Sequence, residues 1–228
     1  MAITDYLLAP IFVPQAIWVA SQAARLPEAA GERRGSVGRG PSLSVLVLGD
    51  SSAAGVGVTQ QAEALGGQLS LILSQRFSVC WQVAAKSGGT VRSTIGKIGT
   101  MPDEHLDFVV IALGVNDAKN GVSLKAWTER YNNLLDELQV RFGNPLVCIS
   151  GLPPVRFFPI LPRPLNAVLG RRVEMFDAEL RRIASLRQNV AYLPLDFTLD
   201  ITKMASDGFH PGPDIYAEWA LRAAQLLD

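Results

Sequence analysis

The sequence predicts a three-layer α/β/α sandwich built on a five-stranded parallel sheet. Five short apolar runs, at residues 43–48, 79–84, 108–113, 146–149 and 190–193, have strand length and are bounded by turn residues. Helical stretches separate them, which leaves room for the crossover that a parallel pair needs. Strands of this kind are covered by helices on both faces. At 228 residues and 48% hydrophobic content, the chain can bury one substantial core.

Taken in order, residues 1–26 form an apolar N-terminal arm. Its first 24 residues carry one charged side chain, Asp5, and residues 6–24 are apolar enough to raise a membrane or export role. No Lys or Arg precedes the run, as a signal peptide would have, although Ser21-Gln22-Ala23 has the outline of a cleavage site. Pro10 and Pro14 are expected to interrupt it. Arg25, Arg33 and Arg34 follow closely, and the positive-inside rule then keeps the domain on the cytoplasmic side. Three readings stay open: a cleaved signal, a segment making weak lipid contact on a membrane, and an arm docked on the domain. A cytoplasmic or membrane-associated location is favoured over secretion.

Residues 27–42, PEAAGERRGSVGRGPS, are rich in Gly, Pro and charge without periodicity and read as a linker, so that the main domain spans 43–228. The first apolar run leads into GDSSAAGVG, and a helix lies within residues 59–77. The clearest helix follows Ser123, where Leu124, Trp127, Tyr131, Leu134, Leu135, Leu138 and Phe142 recur at spacings of three and four until Gly143. A further helix is expected over about 166–187, and the last begins after Pro213, a good first-turn residue.

Composition narrows the chemistry. Lys plus Arg and Asp plus Glu each number 21, so the net charge is zero and no long-range attraction to nucleic acid is expected. Cys80 and Cys148 lack metal-site spacing; each lies in an apolar run and reads as a small core residue. Oligomeric state is not legible.

In parallel α/β sheets ligands bind outside the carboxyl ends of the strands. The unusual residues fall there. Gly49-Asp50-Ser51 ends the first strand; it has neither the Gly-Lys-Ser/Thr ending nor the GxGxxG spacing of a nucleotide loop, and its serine sits where a hydroxyl can face a substrate. Ala85-Lys86-Ser87-Gly88-Gly89-Thr90 follows the second strand, with glycines that let a backbone N–H point at a ligand. Gly114-Val115-Asn116-Asp117 reads as a turn after the third strand, its Asn116 amide a hydrogen-bond donor. Asp207-Gly208-Phe209-His210-Pro211 lies between the last strand and the final helix. The other histidine, His105, is placed at the amino end of a strand and reads as a surface residue.

Together these segments supply each part of a nucleophilic hydrolase once. Ser51 is the candidate nucleophile, His210 its base and Asp207 the acid that orients the base. The N–H groups of Ser51 and Gly88, with the Asn116 side chain, form the candidate oxyanion hole. Asp50 is expected to anchor its own turn through nearby N–H groups. The pentapeptide GxSxG is absent, which argues against the nucleophile-elbow fold.

The motifs GDSS, SGGT, GVND and DGFH, in this order, resemble those of the SGNH hydrolases, within the GDSL esterase and lipase superfamily. The four family letters fall on Ser51, Gly88, Asn116 and His210, and the likeness runs from about residue 43 to the end. It implies a flavodoxin-like sheet, no metal or organic cofactor, and ester hydrolysis through an acyl-enzyme. A bacterial subgroup with an apolar arm and a Leu-Pro linker, here Leu26-Pro27, is also similar.

After the fourth strand, residues 151–162 form an apolar, proline-rich loop at the same edge. Leu152, Pro153, Val155, Phe157 and Phe158 from this loop, with Val56 beside the first motif, are candidates to line an acyl pocket. The loop can equally pack on the core or on the arm. Arg156 reads as a solvated residue. The expected partner is a small-molecule ester of short or medium acyl length. A thioesterase or lysophospholipase would use the same residues, and two readings of other classes stay open: a noncatalytic module binding a phosphorylated ligand at residues 49–57, and a membrane-associated interaction protein.

Overall fold

The computed structural model describes residues 3–22, 26–196 and 200–228. Strands β1 (Arg34–Val37), β2 (Ser42–Gly49), β3 (Ser78–Ala85), β4 (Phe108–Ala112), β5 (Leu146–Ser150) and β6 (Val190–Leu193) form one sheet in the order β1-β3-β2-β4-β5-β6. The last five are mutually parallel, and β1 is antiparallel to β3. The parallel strands alone run in the flavodoxin-like order 2-1-3-4-5, whose switch point lies between the first and third of them, here β2 and β4. The chain leaving β2 therefore enters the crevice where such sheets bind ligands.

The helices are α1 (Ile3–Gln22), α2 (Leu65–Leu73), α3 (Val91–Ile98), α4 (Val115–Lys119), α5 (Leu124–Arg141), α6 (Leu165–Ser185) and α7 (Pro213–Ala224). Strand alternation divides the core in two. Leu46, Leu48, Val109, Ile111, Val147 and Ile149 face one helical layer, which includes α3, α5 and α6. Val45, Val47, Phe108, Val110 and Cys148 face α2 and α7. Every residue of β4 is buried, as a central strand covered on both faces requires. Helix α5 follows its periodic pattern: Ser123 caps it by accepting from the Ala126 N–H, and Trp127, Tyr131, Leu134, Leu135 and Leu138 are buried.

Four expectations are corrected. The segment read as a linker contains β1, which gives the sheet a sixth strand. Four residues of RGSV carry too little apolar pattern to announce a strand, and they are held by main-chain pairing with the edge of β3. Asn116 lies in the first turn of α4 rather than in a plain turn, a helix of five residues being too short to show periodicity. Cys80 is exposed, because alternation along β3 turns it to solvent while Val79 faces the core; Cys148 is buried. Finally, α1 runs through Pro10 and Pro14, both on its exposed face. Phe12 and Val19 pack against the core from its other face, and Gln15 donates to the Arg163 carbonyl at 2.7 Å and accepts from the Leu165 N–H, docking α1 beside α6. Among the described residues, no helix is long and apolar enough to cross a membrane.

Candidate active site

β2 delivers Ser51 to the carboxyl edge of the sheet, and a one-turn loop then holds it. The Asp50 N–H donates to the Ala112 carbonyl at the end of β4, while the Ala54 and Val56 N–H groups donate back to the carbonyls of Asp50 and Ser51. Gly57 closes the loop against the segment carrying His210. Its φ is +109°, and a Cβ there would lie 2.1 Å from the Pro211 carbonyl oxygen, so only glycine permits the approach.

The structure brings Ser51, His210 and Asp207 into one hydrogen-bonded chain. His210 Nε2 lies 2.9 Å from Ser51 Oγ, and His210 Nδ1 lies 2.5 Å from Asp207 Oδ2. The other carboxylate oxygen accepts the N–H groups of Phe209 and His210, both at 3.0 Å, so the turn that presents the ring also fixes the acid. Burial alone would raise the Asp207 pKa. The hydrogen bonds from the His210 ring and from the His210 and Phe209 backbone outweigh it and hold the carboxyl below its ordinary value. His105 lies apart, exposed at the amino end of β4 and 3.1 Å from Asp107.

Gly88 adopts a left-handed φ of +78° with open space where a Cβ would be, so conformation rather than crowding calls for glycine there. Among the described residues, neither the Ser51 N–H nor the Gly88 N–H has a partner within the protein, which leaves both for a ligand. Asn116 Nδ2 lies between two acceptors, Asp50 Oδ2 at 3.2 Å and the Gly89 carbonyl at 3.1 Å. Donation to an oxyanion therefore exchanges one of these contacts.

Asp50 also accepts the Ser52 N–H at 3.0 Å. It is buried, and burial pushes its pKa from 3.8 up to about 6. The folded protein therefore takes up a proton near pH 6 that the unfolded chain takes up only near pH 4, and stability contributed by this group rises as the pH falls through that window. The melting temperature of the wild type is expected to gain on that of Asp50→Asn between pH 7 and pH 5. A constant difference across those pH values would show that Asp50 does not titrate there.

A small apolar cavity of about 60 Å³ opens beside Ser51. Leu152, Pro153 and Phe158 line it from the loop after β5. Val56, Val155 and Phe157 do not line it. Val155 is fully buried in the core and Phe157 is 62% exposed, because the chain makes a 3-10 turn over Val155–Phe157 whose three residues per turn send these two side chains to different faces. Val56 is buried, and its carbonyl accepts the Tyr216 hydroxyl. In their place the cavity has Met204, Phe209, Ile215 and Trp219. Phe209 was visible inside the DGFH motif, between the acid and the base. Ile215 and Trp219, four apart on α7, carry no signal beyond that of core positions. Arg156 pairs with Glu174 at 3.0 Å.

A mostly parallel α/β/α sandwich thus carries a hydrogen-bonded Ser–His–Asp chain at the carboxyl edge of its sheet. The model of the GDSL-like lipase/acylhydrolase family matches residues 47–218, and the chain belongs to this family of SGNH hydrolases. Solved structures share the fold. TesA superposes with a TM-score of 0.67 at 20% identity, covering 81% of this chain and 98% of that one. The psychrotrophic esterase EstA from Pseudoalteromonas sp., in a structure inhibited by monoethylphosphonate, gives 0.59 at 22% identity over 81% and 97%. Est24, a carbohydrate acetylesterase from Sinorhizobium meliloti, gives 0.60 at 15% identity over 81% and 98%. No curated protein matches the sequence significantly.

Proposed function

We propose that this chain is a serine esterase that hydrolyses carboxylic esters of short to medium acyl length. The observation that carries the reading is the Ser51–His210–Asp207 chain at the mouth of an apolar cavity. In the first half-reaction, His210 Nε2 takes the Ser51 proton as Oγ attacks the ester carbonyl, and the carbonyl π electrons move onto oxygen. That oxyanion is met by the Ser51 and Gly88 N–H groups and by Asn116 Nδ2. Collapse expels the alkoxide, which takes the proton from His210 and leaves an acyl group on Ser51. Water, deprotonated by the same imidazole, then attacks the acyl-enzyme, and the carboxylic acid leaves as Ser51 recovers its proton. Asp207, held ionised, keeps the ring in the tautomer that accepts from serine and stabilises the imidazolium between steps.

The loop after β2 is poorly suited to a phosphate. The N–H groups of Ser52, Ala54, Gly55, Val56 and Val58 all donate within the loop or to Asp50, and the nearest side-chain charge is the buried Asp50 carboxyl. The cavity sets acyl length: its apolar lining welcomes methylenes and its small volume ends the welcome early. In a series of p-nitrophenyl esters from acetate to decanoate, kcat/KM is expected to peak at the short end and to fall towards decanoate. A maximum at decanoate, or no turnover of any member, would contradict this reading.

A further inference from the structure

The segment before β1 reaches the site from outside the region that defines the family, which begins at residue 47. Residues 28–33 touch both loops that carry the unpartnered N–H groups. On one side, the Ala30 N–H donates to the Thr59 carbonyl at 2.9 Å and the Ala30 carbonyl accepts the Gln61 N–H at 2.8 Å. The Gln61 side-chain amide bridges the carbonyls of Ala29 and Ala54 at 3.1 and 3.0 Å, and Ala29 is buried against the Ser51 loop. On the other side, Glu28 Oε1 accepts the Ser87 N–H at 2.6 Å, one residue from Gly88. Arg33 completes the clip. Its guanidinium donates to Glu28 Oε2 at 2.6 Å and to the Ala85 carbonyl at 3.0 Å, and its own carbonyl accepts the Val83 N–H.

We infer that Glu28 is a positioning residue for the oxyanion hole: with Arg33 it clamps the Lys86–Ser87 peptide, next to the one that carries the Gly88 N–H, at a set separation from the Ser51 loop, so that two N–H groups from the loops after different strands converge on one oxygen. The inference rests on the esterase reading of the site. The geometry matters because Gly88 has no side chain to lock it, and nothing lies within 4 Å of its Cβ position. The Gly89 N–H donates to the Lys86 carbonyl at 2.9 Å and closes the turn around Ser87 and Gly88. The charge-assisted bond from the Ser87 N–H to Glu28 ties that turn to the segment before β1 and so sets where its Gly88 N–H points. Arg33 has a second duty. A bare carboxylate one residue from a developing oxyanion would oppose it, and the ion pair cancels that charge.

The test uses full-length Glu28→Ala and Glu28→Gln beside the wild type and Ser51→Ala. Four quantities are read: kcat and KM on p-nitrophenyl acetate, the inhibition constant of 1-butaneboronic acid, whose tetrahedral serine adduct places an oxygen in the hole, and amide hydrogen exchange over residues 86–90. Glu28→Ala is expected to lower kcat about tenfold and to weaken the boronic acid by a similar factor, with KM unchanged and exchange at Ser87 faster. Glu28→Gln, which keeps an acceptor for the Ser87 N–H, is expected to recover most of the loss. Unchanged kcat in Glu28→Ala overturns the inference and leaves the esterase reading standing, whatever exchange does. So does a lower kcat without weaker boronic acid binding. A wild type without Ser51-dependent turnover overturns both.

Discussion

Ser51→Ala is expected to lower kcat on p-nitrophenyl acetate by on the order of 10⁵-fold while leaving the fold intact. The loss is large because every later step passes through the oxygen removed: there is no acyl-enzyme, and His210 can only activate water from a position built for serine. The fold survives because Ser51 Oγ makes its hydrogen bond to His210, whose side chain is 17% exposed and can take a solvent partner instead. A methyl group in that place buries no unsatisfied polar atom. The check is initial-rate kinetics beside a melting curve. A variant that melts with the wild type and keeps a tenth of its activity would remove Ser51 from the chemistry.

Asp207→Asn is expected to cost on the order of 10³- to 10⁴-fold in kcat with little change in KM. The asparagine oxygen can still accept the N–H groups of Phe209 and His210, so the turn keeps its shape. Its amide, however, now donates to His210 Nδ1, 2.5 Å away in the parent. That forces the ring proton onto Nε2, where it points at Ser51 Oγ as a donor, and the base can no longer accept the serine proton. Loss of the carboxylate also removes the charge that stabilises the imidazolium. Because the Asp207 pKa is depressed, its contribution to stability is present above the ordinary carboxylate range and is lost as the pH falls through the lowered value. The kinetic comparison therefore belongs near neutral pH. A variant within tenfold of the wild type would show that Asp207 only shapes the turn.

Much of this architecture was legible because it rests on long apolar runs. Five parallel strands stood out as short apolar segments, broken only by Ser44 and Gln82, and α5 as a run from Leu124 to Phe142 with no competing period. What escaped was held by main-chain contacts or was too short to show a period. β1 is four polar and small residues pinned to β3, and α4 is barely more than one turn. At the site, the segments around Ser51, Gly88, Asn116 and His210 were legible as strand-end motifs rich in turn residues, and the structure gathers them at one edge. The cavity wall was harder to read. Val155, Phe157 and Phe158 are alike in sequence, yet one is core, one faces solvent and one lines the cavity, since a 3-10 turn decides their directions. Glu28 gave no signal at all, because its role depends on a contact 59 positions away.

The central claim is that Ser51 Oγ is the atom that attacks. It is tested most directly by incubating the protein with a p-nitrophenyl alkylphosphonate, which transfers its phosphonyl group to an activated serine and releases nitrophenol. The expected result is one equivalent of nitrophenol, one adduct in the intact mass, and peptide mapping that places it on Ser51 as ester turnover disappears. An adduct on another residue, or full ester turnover with Ser51 unmodified, would contradict the account.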